Sequence, residues 1–240
     1  MLKYINRVNK IIEFSHLENI IKILKVEKKN IYFIGGATRS ILIDKYDNKD
    51  IDLVIPELKD ETIEALSLKF TSRYYPSYKS IAISYNGFEY QINSFRKDVN
   101  SSGRQSKVAK AYTLEDDSKR RDFTFNSVYI NLLGDTFDFY EGIYHFKNSY
   151  LKFIFNPIEQ IQKDYLRAIR YMRFLSLFKN PKTNPQDIDA IILLSKNITD
   201  FVKENKIKIE FKKIYKMSYP ENTINFLKEN KELNNFLDYL

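Results

Sequence analysis

Apolar residues along the first third of the chain recur first at helical and then at strand intervals. In HLENIIKILKV, His16 to Val26, the positions Leu17, Ile20, Ile21 and Leu24 fall three and four apart, which predicts a helix. KKNIYFIGG, Lys28 to Gly36, then reads as a buried strand stopped by two glycines. A helix is expected over 38–45, a strand over 50–55 and a second helix over 59–70. SIAISYNGFEYQINSF alternates on both sides of Asn86-Gly87, the pattern of a hairpin closed by a tight turn. Residues 97–107, KDVNSSGRQSK, hold Gly and Ser without periodicity and are expected to form a mobile loop suited to a closing flap. TFNSVYINLLGDTFDFYEGI adds a strand pair around Gly134. The head of the chain thus reads as mixed α/β with local antiparallel pairing. From Pro157 onward the character changes to helices, over 157–179, 185–196 and 204–217 with shorter pieces to Leu240, and a boundary is expected near residue 155.

Composition narrows the classes. The 240 residues are 43% apolar and 15% aromatic, enough for one sizeable core or a compact domain with a smaller appendage. A formal charge of +8 favours a polyanionic partner through counterion release, although a solvated lysine surface reads the same way. With no cysteine, disulfide frameworks, thiolate zinc sites and cysteine nucleophiles are excluded. No stretch approaches the ~18 consecutive apolar residues of a membrane span, and MLKYINRVNKIIEF has no unbroken apolar core for a signal peptide. A cytoplasmic protein without membrane partners is expected. The bases Lys3, Arg7 and Lys10 ahead of the first acid, Glu13, leave a short organellar presequence as the alternative.

Candidate chemistry centres on GGATRSILIDKYDNKDIDLVI, Gly35 to Ile55. On a strand, the period of two sends Asp50 and Asp52 to one face and Ile51 to the other. Paired carboxylates suit Mg2+, which takes a few protein oxygens and completes its shell with waters and substrate phosphates. In a two-ion arrangement one ion activates an attacking hydroxyl and the other stabilises leaving pyrophosphate. Gly35-Gly36, opening a helix, would let backbone N–H groups approach a phosphate, with Arg39 joining them. Taken singly, the aspartates also read as surface charges and the glycines as a tight bend. Neither a G-x-G-x-x-G fingerprint nor a Walker A loop is present.

GGATRS followed by DID resembles the GGxxRD and DxD signature of the class II tRNA nucleotidyltransferase and bacterial poly(A) polymerase superfamily. RRDFTFNSVYIN (Arg120 to Asn131), FDFYEGIYHFKNSYLKFI and KDYLRAIRYMRF resemble three further blocks of that family, in order, over residues 14–178. The resemblance implies an α+β nucleotidyltransferase head over 1–155, with a mixed, largely antiparallel sheet and flanking helices. An all-α neck and shortened body over 156–240 would follow. It implies template-independent addition of C, C and A from CTP and ATP to the 3′ end of tRNA. Poly(A) synthesis, A-only addition or a catalytically weak RNA-binding remnant are the alternatives. Asp50 and Asp52 would be the catalytic metal ligands for Mg2+, with Mn2+ as the other candidate ion. Gly35, Gly36, Arg39, Arg120, Arg121, Asp122 and Asn126 would meet phosphate and sugar. Asp164 and Arg167 would read the Watson–Crick edge of the base, because Asp only accepts and Arg only donates hydrogen bonds. Arg170 and Arg173 would face triphosphate or RNA.

Several positions depart from the family pattern. Ser40 and Lys163 stand where aspartate and glutamate are usual. Gln91 replaces a supporting glutamate, with Glu89 on the same strand face as a candidate substitute. Lys206 and Lys208 stand where arginines are common, and a body that stops at Leu240 implies a reduced grip on RNA. The sequence leaves the oligomeric state open.

Overall fold

The computed structural model describes residues 4–102 and 105–240. These divide into two compact units. One gathers the described residues up to Asp98 with Val108–Arg121 and Asn126–Ile143; the other gathers the described part of Val99–Lys107 with Asp122–Phe125 and Tyr144–Leu240.

In the first unit, helices α1 (Ile5–Phe14) and α2 (Glu18–Leu24) precede strand β1 (Tyr32–Ile34), and α3 (Gly35–Ile43) starts directly from the strand. β2 (Asp50–Ile55), α4 (Asp60–Lys69), β3 (Thr71–Tyr75), β4 (Ser80–Tyr85) and β5 (Phe88–Ser94) follow. After β6 (Arg96–Ser102) and β7 (Gln105–Lys110) come α5 (Leu114–Ser118), β8 (Tyr129–Asn131) and β9 (Thr136–Phe137). The main sheet has the order β3-β4-β5-β2-β1-β8-β9 and is antiparallel at every junction except β2–β5. The mixed, largely antiparallel sheet is therefore as expected.

The β4–β5 hairpin closes at Asn86 and Gly87, with φ of 51° and 75°, the positive pair that a two-residue turn matching strand twist requires. Alternation then sorts the faces. Phe33, Ile51, Leu53, Tyr90 and Ile92 fall on one face and are buried, and the Tyr90 hydroxyl donates to the carbonyl of Ser15 there. The opposite face carries Ile34, Asp52 and Gln91 in register. Deeper along that face Tyr32, Val54, Phe95, Ala111 and Tyr129 form an apolar cluster. One face thus holds the sheet together while the end of the other carries charge.

Residues 97–107, expected as a loop, instead contribute most of β6 and β7, which pair as a separate two-stranded sheet; positions 103 and 104 lie outside the described residues. KDVNSSGRQSK has no apolar alternation, the signal by which a strand is recognised in sequence, so the pattern does not mark these strands.

The second unit runs through α6 (Gly142–Lys147), β10 (Tyr150–Leu151), α7 (Pro157–Lys163), α8 (Leu166–Leu175), β11 (Lys182–Thr183), α9 (Pro185–Leu193), α10 (Ser195–Phe201), α11 (Glu204–Lys212) and α12 (Pro220–Glu229). The single helix expected over 157–179 is two helices. Asp164 between them is extended (φ −154°, ψ 103°), and its carboxylate accepts from the Leu166 amide at 3.0 Å, satisfying a donor at the start of α8. The span 185–196 is likewise divided between α9 and α10, and the span 204–217 ends in a 3-10 turn at Ile214–Lys216. Phe123 and Phe125 bury their rings with Phe153, Tyr171 and Phe174 at centroid separations of 5.0 to 5.8 Å. Among the described residues no helix is long and apolar enough to cross a membrane.

Asp187 is buried in this unit, where it accepts from the Phe153 amide at 3.0 Å, and burial pushes its pKa up to about 7. The folded state therefore keeps a proton that the unfolded chain releases in the ordinary carboxylate range. The stability contributed by that proton is complete below that range and is lost as pH rises through about 7. Asp187→Asn is neutral at every pH and removes this loss. The stability of the wild type relative to the variant, followed by thermal unfolding, is expected to fall between about pH 4 and about pH 7. A difference that stays constant across this window would refute the buried proton.

Candidate active site

The site in the first unit is built where β1 turns into α3. Ile34 is extended and lies opposite Asp52 in the β1–β2 register, and Gly35 then adopts φ +58°. A Cβ on Gly35 would lie 3.2 Å from Asp52 Oδ2, so the missing side chain is what allows this carboxylate to approach the first turn of the helix. A Cβ on Gly36 would come within 2.5 Å of Asn48 Nδ2. Asn48 braces the entry to β2, donating to the Asp50 carbonyl at 2.8 Å and accepting from the Asp50 amide at 3.0 Å. At the other end of α3, Arg7 donates to the carbonyls of Ile41 (3.1 Å) and Leu42 (2.7 Å), satisfying groups that the helix leaves open.

Asp50 is exposed and Asp52 half-buried, on one face of β2. Arg39, on α3, donates to Asn126 Oδ1 at 2.6 Å, bringing together two of the residues expected to contact nucleotide. Ser40 is buried in α3. Gln91 lies opposite Asp52, and its amide is engaged by Ser80. Glu89 lies opposite Asp50, but it accepts from Ser84 at 2.7 Å. It does not join the two aspartates: among the described residues no group of three or more acids and histidines gathers as a metal cage. Two carboxylates without nitrogen or sulfur donors suit Mg2+, whose remaining positions would go to water and substrate phosphate.

Arg120 and Arg121 are half-buried and converge on Asp117, a residue absent from the sequence-derived candidates. Arg120 Nε lies 3.0 Å from Asp117 Oδ1 and Arg121 Nη2 lies 2.8 Å from Oδ2. The spacings of three and four residues were the available signal. Burial alone would raise the Asp117 pKa, but the charges of Arg121 and Arg120 hold it well below the usual carboxylate range.

In the second unit Asp122 is buried and ion-paired with Arg170 at 2.8 Å. Asp164 is exposed, whereas Arg167 is buried and donates to Gln160. Arg173 is 12% exposed, pairs with Glu210 at 2.8 Å and stacks on Phe174 with its guanidinium carbon 4.1 Å from the ring centroid. Desolvation pushes the Arg173 pKa down, and Glu210 opposes that shift. The structure therefore engages Arg173 with a carboxylate instead of presenting it openly to a phosphate. Lys163 ends α7.

Comparison with known proteins decides the family. Residues 31–152 match the poly A polymerase head domain. The chain belongs to this family. The match spans the glycine turn, both aspartates and the Arg120–Asn126 block, so these residues all lie in the head domain. The chain is 27% identical over 203 residues to the Homo sapiens mitochondrial CCA tRNA nucleotidyltransferase 1, covering 82% of this chain and 46% of the relative. It is 32% identical over 167 residues to the CCA-adding enzyme of Staphylococcus saprophyticus, covering 69% and 41%. A solved structure of the Bacillus stearothermophilus CCA-adding enzyme in complex with CTP shares the fold, with TM-score 0.77 and 22% identity over 94% of this chain and 53% of that one. The chain spans about half the length of the curated relatives it matches.

The two glycines of the head domain should differ in tolerance. Gly35→Ala places a side chain in the left-handed region beside Asp52 and is expected to lower stability by about 1–2 kcal/mol. Gly36→Ala makes its one close approach to the end of the Asn48 side chain and is expected to have the smaller effect, with no further loss when it is made on an Asn48→Ala background, which itself loses the bonds to Asp50. Urea unfolding of Gly35→Ala, Gly36→Ala, Asn48→Ala and Gly36→Ala/Asn48→Ala checks this order, and equal losses at both glycines would contradict it.

Proposed function

We propose that this chain carries out nucleotidyl transfer to the 3′ end of tRNA, adding C, C and A from CTP and ATP with release of pyrophosphate. The observation that carries the reading is the placement of Asp50 and Asp52 on one face of β2 beside the glycine-opened start of α3, within a head domain of this family. The names of the relatives support CCA addition over poly(A) synthesis.

Asp50 and Asp52 would hold Mg2+. When bound, it supplies positive charge that favours ionisation of the attacking hydroxyl and offsets charge growing on the phosphate oxygens. Gly35 and Gly36 open the backbone at the positive end of α3 to phosphate, and Arg39, oriented by Asn126, adds a planar donor. Arg120 and Arg121 supply further donors to the triphosphate. Asp164 and Arg167 offer an acceptor and donors for the base edge, and the Gln160 contact restrains Arg167. Asp122 orients Arg170. We assign 1–155 to the catalytic head and 156–240 to a helical neck and body, acting in the cytoplasm or an organelle.

The test incubates the protein with tRNA lacking its last three nucleotides and with CTP, ATP or both. Extension by two C residues followed by one A is expected. A homopolymeric ATP product would mean poly(A) synthesis, and no extension would mean a binding remnant. Asp50→Ala and Asp52→Ala should each reduce extension at least about a thousandfold, about 4 kcal/mol of barrier. Wild-type extension by either variant would remove the metal assignment.

A further inference from the structure

We propose that Asp117 is a positioning residue, holding the guanidinium groups of Arg120 and Arg121 side by side where they meet the phosphates of the nucleotide. The inference rests on the reading of those arginines as phosphate contacts and adds a residue that the reading leaves unassigned.

Asp117 is fully buried near the end of α5, and its carboxylate receives four donors: Arg120 Nε at 3.0 Å, Arg121 Nη2 at 2.8 Å, the Tyr129 hydroxyl at 2.8 Å and the Arg96 amide at 3.2 Å. A carboxylate has about four acceptor sites, so Asp117 is saturated and has no oxygen left for a metal or a substrate. Its effect must pass through its partners.

Adjacent residues on a regular helix point apart and do not share a partner. Arg120 and Arg121 do so because α5 ends at Ser118 and a turn closes behind it, with the Arg121 amide donating to the Ser118 carbonyl at 3.1 Å. Tyr129 fixes the second guanidinium further: its hydroxyl accepts from Arg121 Nε at 3.2 Å while donating to Asp117, and its ring lies 5.5 Å below the guanidinium carbon.

The charges do not balance. Asp117 faces two guanidinium groups, and Arg96 brings a third whose pKa is lowered to about 10 by burial and by the charges of Arg120 and Arg121, with Asp117 and Asp98 opposing that shift; three cations thus stand against these two acids. Arg96 Nη1 donates to the Tyr78 carbonyl at 3.0 Å, while its Nε is buried with no hydrogen-bond partner among the described residues. Asp117 is thus enough to set the geometry of the pair and too little to neutralise the cluster. The surplus positive charge attracts an anion of high charge density, which a triphosphate provides.

The test measures CTP and ATP binding to the intact chain by calorimetry, alongside KM and kcat for extension. Asp117→Asn keeps the shape and removes the charge. It is expected to raise Kd and KM about tenfold for CTP and ATP alike, because the phosphates are common to both, with a smaller change in kcat. Added to Arg120→Ala/Arg121→Ala, it should raise them no further. A lowered unfolding temperature with unchanged Kd and KM, or an additive effect on the double-arginine background, overturns the proposal. If Asp117→Asn does not fold, Tyr129→Phe carries the test, with Kd expected to rise about threefold for both nucleotides and an unchanged Kd refuting it. If Arg120→Ala/Arg121→Ala binds both nucleotides as well as the wild type, the phosphate reading itself fails. If that variant weakens binding and Asp117→Asn does not, only the positioning role fails.

Discussion

A left-handed glycine in contact with a carboxylate is the constraint from which the head domain's site follows. Ile34 and Asp52 are opposite each other in the sheet, and Gly35 begins α3 at positive φ, where a Cβ would lie 3.2 Å from Asp52 Oδ2. Any side chain there would both strain the backbone and press on the acid. With the glycine, the open N–H groups and partial positive charge of a helix start lie next to two negative side chains. A phosphate drawn to that helix start would also meet the aspartates, and like charges at such distances repel strongly outside bulk water. The arrangement suits an anionic substrate only in the company of cations. Arg39 would supply one from the protein, and Mg2+ on the aspartates the rest.

Buried carboxylates recur as the means of fixing arginines. Asp117 holds Arg120 and Arg121 in the first unit; Asp122 holds Arg170 and Glu210 holds Arg173 in the second. Such pairs contribute little net stability, since desolvating both partners offsets much of their attraction, yet removing one partner leaves a charge that the interior cannot solvate. Their more evident effect is geometric. Each acid removes rotamers from a long side chain, so an arginine that binds phosphate loses less freedom on binding than an unrestrained one.

Much of this organisation was legible in the chain. The β4–β5 hairpin, β2 and the sharing of a face by Asp50 and Asp52 follow from period-two alternation and from Asn86-Gly87, all local properties. The break between α7 and α8 was not legible, because apolar residues keep helical spacing through Asp164 and only its backbone and capping bond reveal the interruption. The pairing of β6 with β7 was hidden for the reverse reason, since the polar sequence has no burial pattern to follow. Arg173 read as a surface donor because its partner Glu210 is distant in sequence. Asp117 was within reach, three and four residues before its partners, but as one more acid in LEDDSKRRD nothing in the chain distinguished it; full burial does.

The choice of arginine over lysine at these positions follows from counting donors. A carboxylate that fixes a side chain and a phosphate that binds it need different hydrogens on the same cation. A guanidinium has five in a rigid plane, so an acid can hold one edge while others remain directed elsewhere. An ammonium has three on a rotating centre, so an acid that holds one leaves the direction of the other two unfixed. Lysine at Arg120 or Arg121 would keep the charge near Asp117 and lose the division of labour between anchoring and binding. Long-range attraction of a polyanion depends on charge and would survive that exchange, whereas orientation of the bound phosphates would not. On the proposed reading, charge would therefore account for the attraction of substrate to this head domain, and the pairing of planar cations with buried acids for its alignment.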